Sequence, residues 1–488
     1  MTQQSSSPKN VSKKAVQGTL WSYLSFVCGK GLNLASTLIL TRLLAPAEFG
    51  VMAYCLTAIQ YLDVLNSLGS ESALISRRDK LEEATNATFV INILTGILFF
   101  SLAWAAAPAL AAFFREPGVV DVIRVLAAVL VIGALKSAPS GLLQRRLSFK
   151  AKLIPDLGQA VVKGLVSVIL AWQGFGVWSL VWGQVIGEAV STVAFWVLVR
   201  WRPTLQFDRQ ITRETLLFGG NMALIGFIGA LLINVDYLIV GRILGSEQLG
   251  YYTLGYRIPD LLIRSIGMVV GQVAFPVLAL LQTDMQKFHV VYLKYLRYLA
   301  LCTYPIGAGL ALTAPYFVTL FFTAKWIPAT FPMQAIAIAL ALSSLGRIPG
   351  VLYKAMNRPE ILNQIGVVKL AFAVTVLWIG AQWGINGVAV AQIAVATCNM
   401  ILDFTMVSRV IKVQFNEMLK SILPPLIGVT VMWMVLTALS ALFTSPGIVS
   451  LGALIVAGVV VYTLALAIVS RETLKQASLV LRLAFSRS

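Results

Sequence analysis

Fourteen long apolar stretches, separated by short charged loops, run through this chain from residue 16 to residue 470. They occupy 16–41, 48–69, 85–107, 119–137, 155–173, 176–199, 215–240, 248–274, 294–314, 331–347, 362–381, 384–407, 421–443 and 448–470. A helix needs roughly 20 apolar residues to cross the hydrocarbon of a bilayer, and each stretch is about that size. Of the 488 residues 12% are charged, about half the share of a soluble domain. The fold class predicted is all-α integral membrane, with about fourteen transmembrane helices.

Loop charge tests the count. With the N-terminus placed in the cytoplasm, 26 of the 38 Lys and Arg residues fall on the cytoplasmic side, and four (Arg42, Arg115, Arg242 and Lys325) fall opposite. That asymmetry follows the positive-inside rule, and one miscounted helix would scramble it. Both termini are therefore expected in the cytoplasm. The net charge of +18 belongs to these loops; scattered in short clusters, it forms no soluble basic face for a nucleic acid. The polar, basic segment Met1 to Lys14 leads into a long apolar stretch without a small-residue cleavage site, which reads as a retained first helix. Cys28, Cys55, Cys302 and Cys398 are far apart, and His289 is the single histidine. No metal site, cofactor or catalytic triad is expected from them.

The chain repeats itself at an offset near 200. Residues 41–50 echo 241–250, with Arg42 matching Arg242 and Gly50 matching Gly250. Phe113-Phe114 returns as Phe321-Phe322, and Pro139 to Leu142 as Pro349 to Leu352. Six helices lie between matching points, so the halves share one orientation, and parallel repeats of this kind hold their substrate between them. The expected organisation is an N-lobe over 1–200, a C-lobe over 201–412, and two additional helices with a cytoplasmic tail over 413–488.

Eight cations remain inside the spans: Lys30, Arg124, Lys136, Lys163, Arg257, Arg264, Arg347 and Lys369. Each would cost about 2.5–3.5 kcal/mol facing lipid at a helix centre, and eight would exceed the ~5–15 kcal/mol that a fold can spare. Arg124, Lys136 and Arg347 lie near span ends and are expected to snorkel to the headgroups. The deeper ones share helix faces with other polar groups. Lys30, Asn33 and Thr37 lie on one face of the first helix, Gln60, Asp63 and Ser67 on the second, and Arg257, Asp260 and Arg264 on the eighth. Either these are ion pairs that hold helices together, Asp260 with Arg264 for instance, or they line a wet cavity. A cationic cavity suits phosphate, which Arg grips in bidentate fashion. Lys30, Lys163, Arg257, Arg264, Lys369, Asn33 and Gln60 are the candidates for binding cargo, and Asp63, Glu188 and Asp260 for ion coupling.

Residues 40–50, Gln144 to Lys150, and the run from Asp236 to Arg257 resemble the polysaccharide transporter family. The likeness is greatest to its Wzx-type branch, which serves colanic acid, teichuronic acid and related exopolysaccharides. The resemblance covers nearly the whole chain. It implies the multidrug/oligosaccharidyl-lipid/polysaccharide exporter fold, two six-helix lobes plus two helices, rocking between inward- and outward-open states in a bacterial inner membrane. It further implies a cargo of undecaprenyl-diphosphate-linked sugar repeats, with membrane lipid around the polyprenyl tail, and partnership with a polymerase and a chain-length regulator. In related lipid II flippases the first and eighth helices bring cations to the cavity, a role that would fall here to Lys30, Arg257 and Arg264. This chain is less cationic than that branch, which argues against a peptidoglycan precursor. The rivals are a multidrug antiporter of the same fold, which would want acidic cavity groups, and a polysaccharide polymerase, which would want a large outer loop.

Overall fold

In a computed structural model of the protein, the described residues are 27–67, 80–145, 149–204, 209–356, 358, 360–443 and 446–470. They are helical almost throughout, with no strand among them. The helices are α1 (27–43), α2 (Pro46–Ser67), α3 (Leu81–Phe114), α4 (Val119–Leu126), α5 (Ala128–Arg145), α6 (Phe149–Trp172), α7 (Val177–Val199) and α8 (Arg209–Pro259). There follow α9 (Ser265–Leu280), α10 (Met285–Phe321), α11 (Thr330–Ser344), α12 (Arg347–Ala355), α13 (Glu360–Ala381), α14 (Gly384–Ile411), α15 (Phe415–Ser440) and α16 (Ile448–Val469).

Two short pieces make one span where α4 meets α5 and where α11 meets α12. The long α8 is in turn two spans, broken at Gly245, whose φ of 85° and ψ of 179° no helix contains. Its second part runs through a π turn, Asp260–Arg264, into α9. Among the described residues these helices make up fourteen spans, the number that loop charge requires. Ten of the described helices are long and apolar enough to cross a membrane by length and composition alone. The chain is a multi-pass membrane protein.

Many helices outrun the apolar stretches that predict them. The stretch 294–314 becomes a helix from Met285 to Phe321, and 119–137 and 331–347 extend to Arg145 and Ala355. Backbone hydrogen bonding does not end where hydrophobicity does, so polar turns continue the helix past the hydrocarbon. Three helices stop at a left-handed cation, Arg115, Arg200 or Lys412, at φ of 56°, 49° and 58°. Glycine is usual there, but a cation suits the negative end of the helix dipole.

The chain forms two compact units, 1–250 and 251–488. In the first, the repeated decapeptide proves to be a helix start. Pro46 opens α2, and Glu48 Oε2 accepts a hydrogen bond from the Ala45 N–H at 2.6 Å. The second copy starts at the Gly245 break. The two starts are then packed backbone to backbone: a Cβ on Gly50 would lie 1.7 Å from the Ser246 carbonyl oxygen, and one on Gly250 1.9 Å from that of Pro46. Each glycine of the repeat makes room for the other copy's first turn. In the second unit Phe288, Tyr292, Leu296, Leu345, Ile348, Phe404 and Met418 form a buried core. Against it α15 and α16 dock on α10, with Ser421 donating to the Leu293 carbonyl at 2.9 Å and Tyr462 to that of Leu301 at 3.1 Å.

Candidate functional site

The polar groups of the first unit converge on a cavity of about 460 Å³. Gln60, Asp63 and Asn66 reach it from α2, Asn92 from α3, Lys136 and Ser137 from α5, and Gln184 and Glu188 from α7. Gln60 and Asp63 are exposed along it, whereas Asn66, Asn92 and Glu188 are buried. Gly133 on α5 lies between two acids: a Cβ there would make ordinary contacts, 3.7 Å from Glu188 Oε1 and 3.9 Å from Asp63 Oδ1.

The wiring is specific. Lys136 Nζ pairs with Glu188 Oε1, and Gln159 Nε2 donates to Glu188 Oε2 at 2.6 Å. Asn66 donates to the Leu130 carbonyl at 3.1 Å and accepts from Thr95 at 2.8 Å. Asn92 donates to Ser137 Oγ at 2.7 Å, but its own Oδ1 has no hydrogen-bond partner among the described residues. Lys136 is a correction to the sequence reading. Its helix continues to Arg145, so it lies two turns inside and faces an acid rather than headgroups. Arg124 does stay near an end, beside Asp121 at 3.9 Å and over the Trp104 ring at 5.1 Å.

Elsewhere in this unit, Lys30 and Asn33 are half-buried on α1, where the Asn33 amide nitrogen donates to the Gly29 carbonyl at 2.9 Å. Lys163 is half-buried on α6 and packs its stem on Gly187, where a Cβ would lie 3.0 Å from its own.

The second unit holds two further charged clusters. Arg264 pairs with Asp260 across the π turn that follows half-buried Arg257. Arg347, the second correction, lies across Gly267, where a Cβ would come within 2.5 Å of its Cδ and 2.8 Å of its Nε. Gly267 lies three residues past Arg264, so a second guanidinium lies against the helix that follows the Asp260–Arg264 pair. Lys369 Nζ meets Asp403 Oδ1 at 2.6 Å, tying α13 to α14. The other oxygen of Asp403 flanks the helix break, 2.6 Å from where a Cβ on Gly346 would sit. Among the sequence candidates, then, Gln60, Asp63 and Glu188 share one cavity, Asp260 and Arg264 pair with each other, and Lys369 takes a carboxylate of its own.

The fold resembles that of a solved structure titled lipid II flippase MurJ, inward closed conformation, with a TM-score of 0.75 at 15% identity, over 94% of this chain and 99% of that one. An inward-facing multidrug resistance MATE family transporter matches with a TM-score of 0.64 at 16% identity, over 81% and 94% of the respective chains. In sequence, the chain is 23% identical over 431 residues to the teichuronic acid biosynthesis protein TuaB of Bacillus subtilis strain 168, covering 85% of this chain and 87% of TuaB. It is 25% identical over 422 residues to the lipopolysaccharide biosynthesis protein WzxC of Escherichia coli strain K12, covering 85% of each. The succinoglycan biosynthesis transport protein ExoT of Rhizobium meliloti strain 1021 is 23% identical over 63% of each chain. The family model described as polysaccharide biosynthesis protein matches residues 39–331. By that match the chain belongs to the polysaccharide biosynthesis protein family.

Proposed function

We propose that the protein is a flippase that carries undecaprenyl-diphosphate-linked oligosaccharide repeat units across a bacterial inner membrane by alternating access, in the service of exopolysaccharide, capsule or O-antigen synthesis. The observation that carries this reading is the family match on a fourteen-span scaffold, beside relatives named for teichuronic acid, lipopolysaccharide and succinoglycan. An anionic lipid headgroup in low dielectric requires fixed cations, and the half-buried Lys30 and Arg257 serve as these, with Arg264 sharing its charge with Asp260. Arg347 joins that set beside Arg264. Neutral amides such as Gln60 and Asn33, through its remaining oxygen, suit sugar hydroxyls. Lys163 and Lys369 play supporting parts; the pair with Asp403 makes Lys369 more a strut than a hand.

Energetics favour the outward direction. A charge crossing the membrane field exchanges about 2.3 kcal/mol per 100 mV. A diphosphate with two negative charges moving toward the positive outside gains about 4.6 kcal/mol per 100 mV. The termini face the cytoplasm in this reading, and a polymerase and chain-length regulator receive the cargo outside.

Deleting the gene in a polysaccharide-producing host tests the reading. Lipid-linked repeat units are expected to accumulate facing the cytoplasm, and polymer to disappear. Single units gathering on the outer face instead would mark a polymerase. Arg257→Ala is expected to abolish export at normal protein abundance; loss of the protein from the membrane would make Arg257 structural.

A further inference from the structure

The cavity of the first unit has more hydrogen-bonding capacity than its own residues use. Glu188 has both oxygens occupied, one by Lys136 and the other by Gln159. Asn66 is likewise spent, on the Leu130 carbonyl and on Thr95. Other groups along the wall are not. Gln60, Asp63 and Gln184 line the cavity and make no hydrogen bond or ion pair among the described residues. Asn92 is 1% exposed, and its Oδ1 is a buried acceptor with no donor among those residues. The orientation of that amide is fixed by its neighbour. Ser137 Oγ gives its one proton to the Ala134 carbonyl at 2.8 Å, so it can only accept from the Asn92 nitrogen. The amide oxygen is left to the cavity.

These unspent groups are richer in acceptors than in donors, so the ligand they fit brings several O–H groups of its own. Such a ligand is a polyol. Leu56, Ile59, Leu126 and Val129 line the same cavity, and an apolar wall suits the C–H face of a sugar ring. At about 460 Å³ the cavity lies within the roughly 300–1,000 Å³ usual for small-molecule sites. A bare cation would answer Asp63 alone, leaving both glutamines and most of that volume unused. Charge narrows the class further. Two carboxylates, Asp63 and Glu188, share the cavity with one ammonium, Lys136. An acidic sugar would therefore meet repulsion there.

We infer that this cavity is a subsite for an uncharged sugar residue, with Asp63 accepting from two adjacent ring hydroxyls and Asn92 Oδ1 from a further one. Gln60 and Gln184 donate to the sugar oxygens. Asp63 sets specificity twice, since it attracts a diol and refuses a second carboxylate. That the sugar belongs to a lipid-linked repeat unit rests on the flippase reading; that the cavity binds it does not.

Saturation-transfer difference NMR tests the subsite on the purified full-length chain, held in a detergent without a sugar headgroup. The probes are the methyl glycosides of glucose, galactose and mannose, set against those of glucuronic and galacturonic acid. At least one neutral glycoside is expected to give a saturable signal, with its uronic counterpart bound about tenfold more weakly or worse. Asp63→Asn keeps the shape and removes the charge. It should weaken the neutral glycoside about tenfold or more and bring the two members of the pair to similar affinity. Gln60→Ala and Gln184→Ala should each weaken the neutral glycoside while keeping the preference, a split that a merely structural Asp63 would not produce. The inference is overturned if no neutral glycoside gives a saturable signal, or if the uronic glycosides bind equally well. It is also overturned if Asp63→Asn leaves both affinities unchanged. Should that variant fail to accumulate, unchanged affinity in both glutamine variants overturns the inference instead. Selective binding by a chain whose deletion leaves export intact would count against the flippase reading, not against the subsite.

Discussion

Lys369→Ala is expected to destabilise the chain by about 3–5 kcal/mol, the usual consequence of leaving a buried carboxylate without its cation. Asp403 is 3% exposed, and its carboxylate touches both Lys369 and the flank of the α11–α12 break at Gly346. At that burial the lost partner is not replaced by solvation. Thermal unfolding in detergent should show the drop, and the double variant Lys369→Met with Asp403→Leu should recover most of it, since a matched apolar pair of similar volume has no charge to desolvate. A double variant as unstable as the single one would mean that Asp403 has another buried partner with an equal claim on it. A Lys369→Ala variant as stable as wild type would place the pair in water.

Gly50→Val should be at least as damaging. The Cβ it adds would land 1.7 Å from the Ser246 carbonyl oxygen, and a backbone oxygen cannot rotate aside as a side chain can. Overpacking typically costs about 1–3 kcal/mol, and more where the neighbour cannot yield. The expected outcome is little folded protein in the membrane fraction. Gly250→Val should behave alike, because its Cβ would meet the Pro46 carbonyl in the mirrored contact. Gly29→Ala is the control. Among the described residues nothing beyond its own helix and chain neighbours lies within 4 Å of a Cβ there, and alanine in a helix is favoured over glycine by roughly 0.5–1 kcal/mol. It should leave the melting temperature unchanged or raise it. Equal tolerance at all three positions would deny the close crossing of the two helix starts.

These contacts explain what was and was not legible in the sequence. The fourteen spans could be read because hydrophobic length and loop charge are both set by the bilayer, and each checks the other. The pairing of Gly50 and Gly250 could be read as a repeat but not as a contact, since the distance between two helix starts is written in no local pattern. Lys136 and Arg347 depart from the expectation for one shared reason. A hydropathy ruler ends a helix where apolar residues end, at 137 and 347, whereas the backbone runs on to Arg145 and Ala355. Both residues therefore lie well inside their helices, next to Glu188 and Gly267. Asn92 offered no signal at all, because one amide in a long apolar run has the same appearance whether or not its oxygen is partnered. The Asp260–Arg264 pair was legible, since a spacing of four on a helix brings two side chains together whatever surrounds them.

Movement of a lipid-linked sugar shows itself in which face of the membrane the sugar reaches. In spheroplasts of a producing host whose polymerase has been removed, labelled repeat units can be scored by their access to a lectin added outside. With the wild-type chain present, label should reach the outer face, and with Arg257→Ala or no chain at all it should stay inside at equal total amount. Label arriving outside at the same rate without the chain would mean that this protein does not move it.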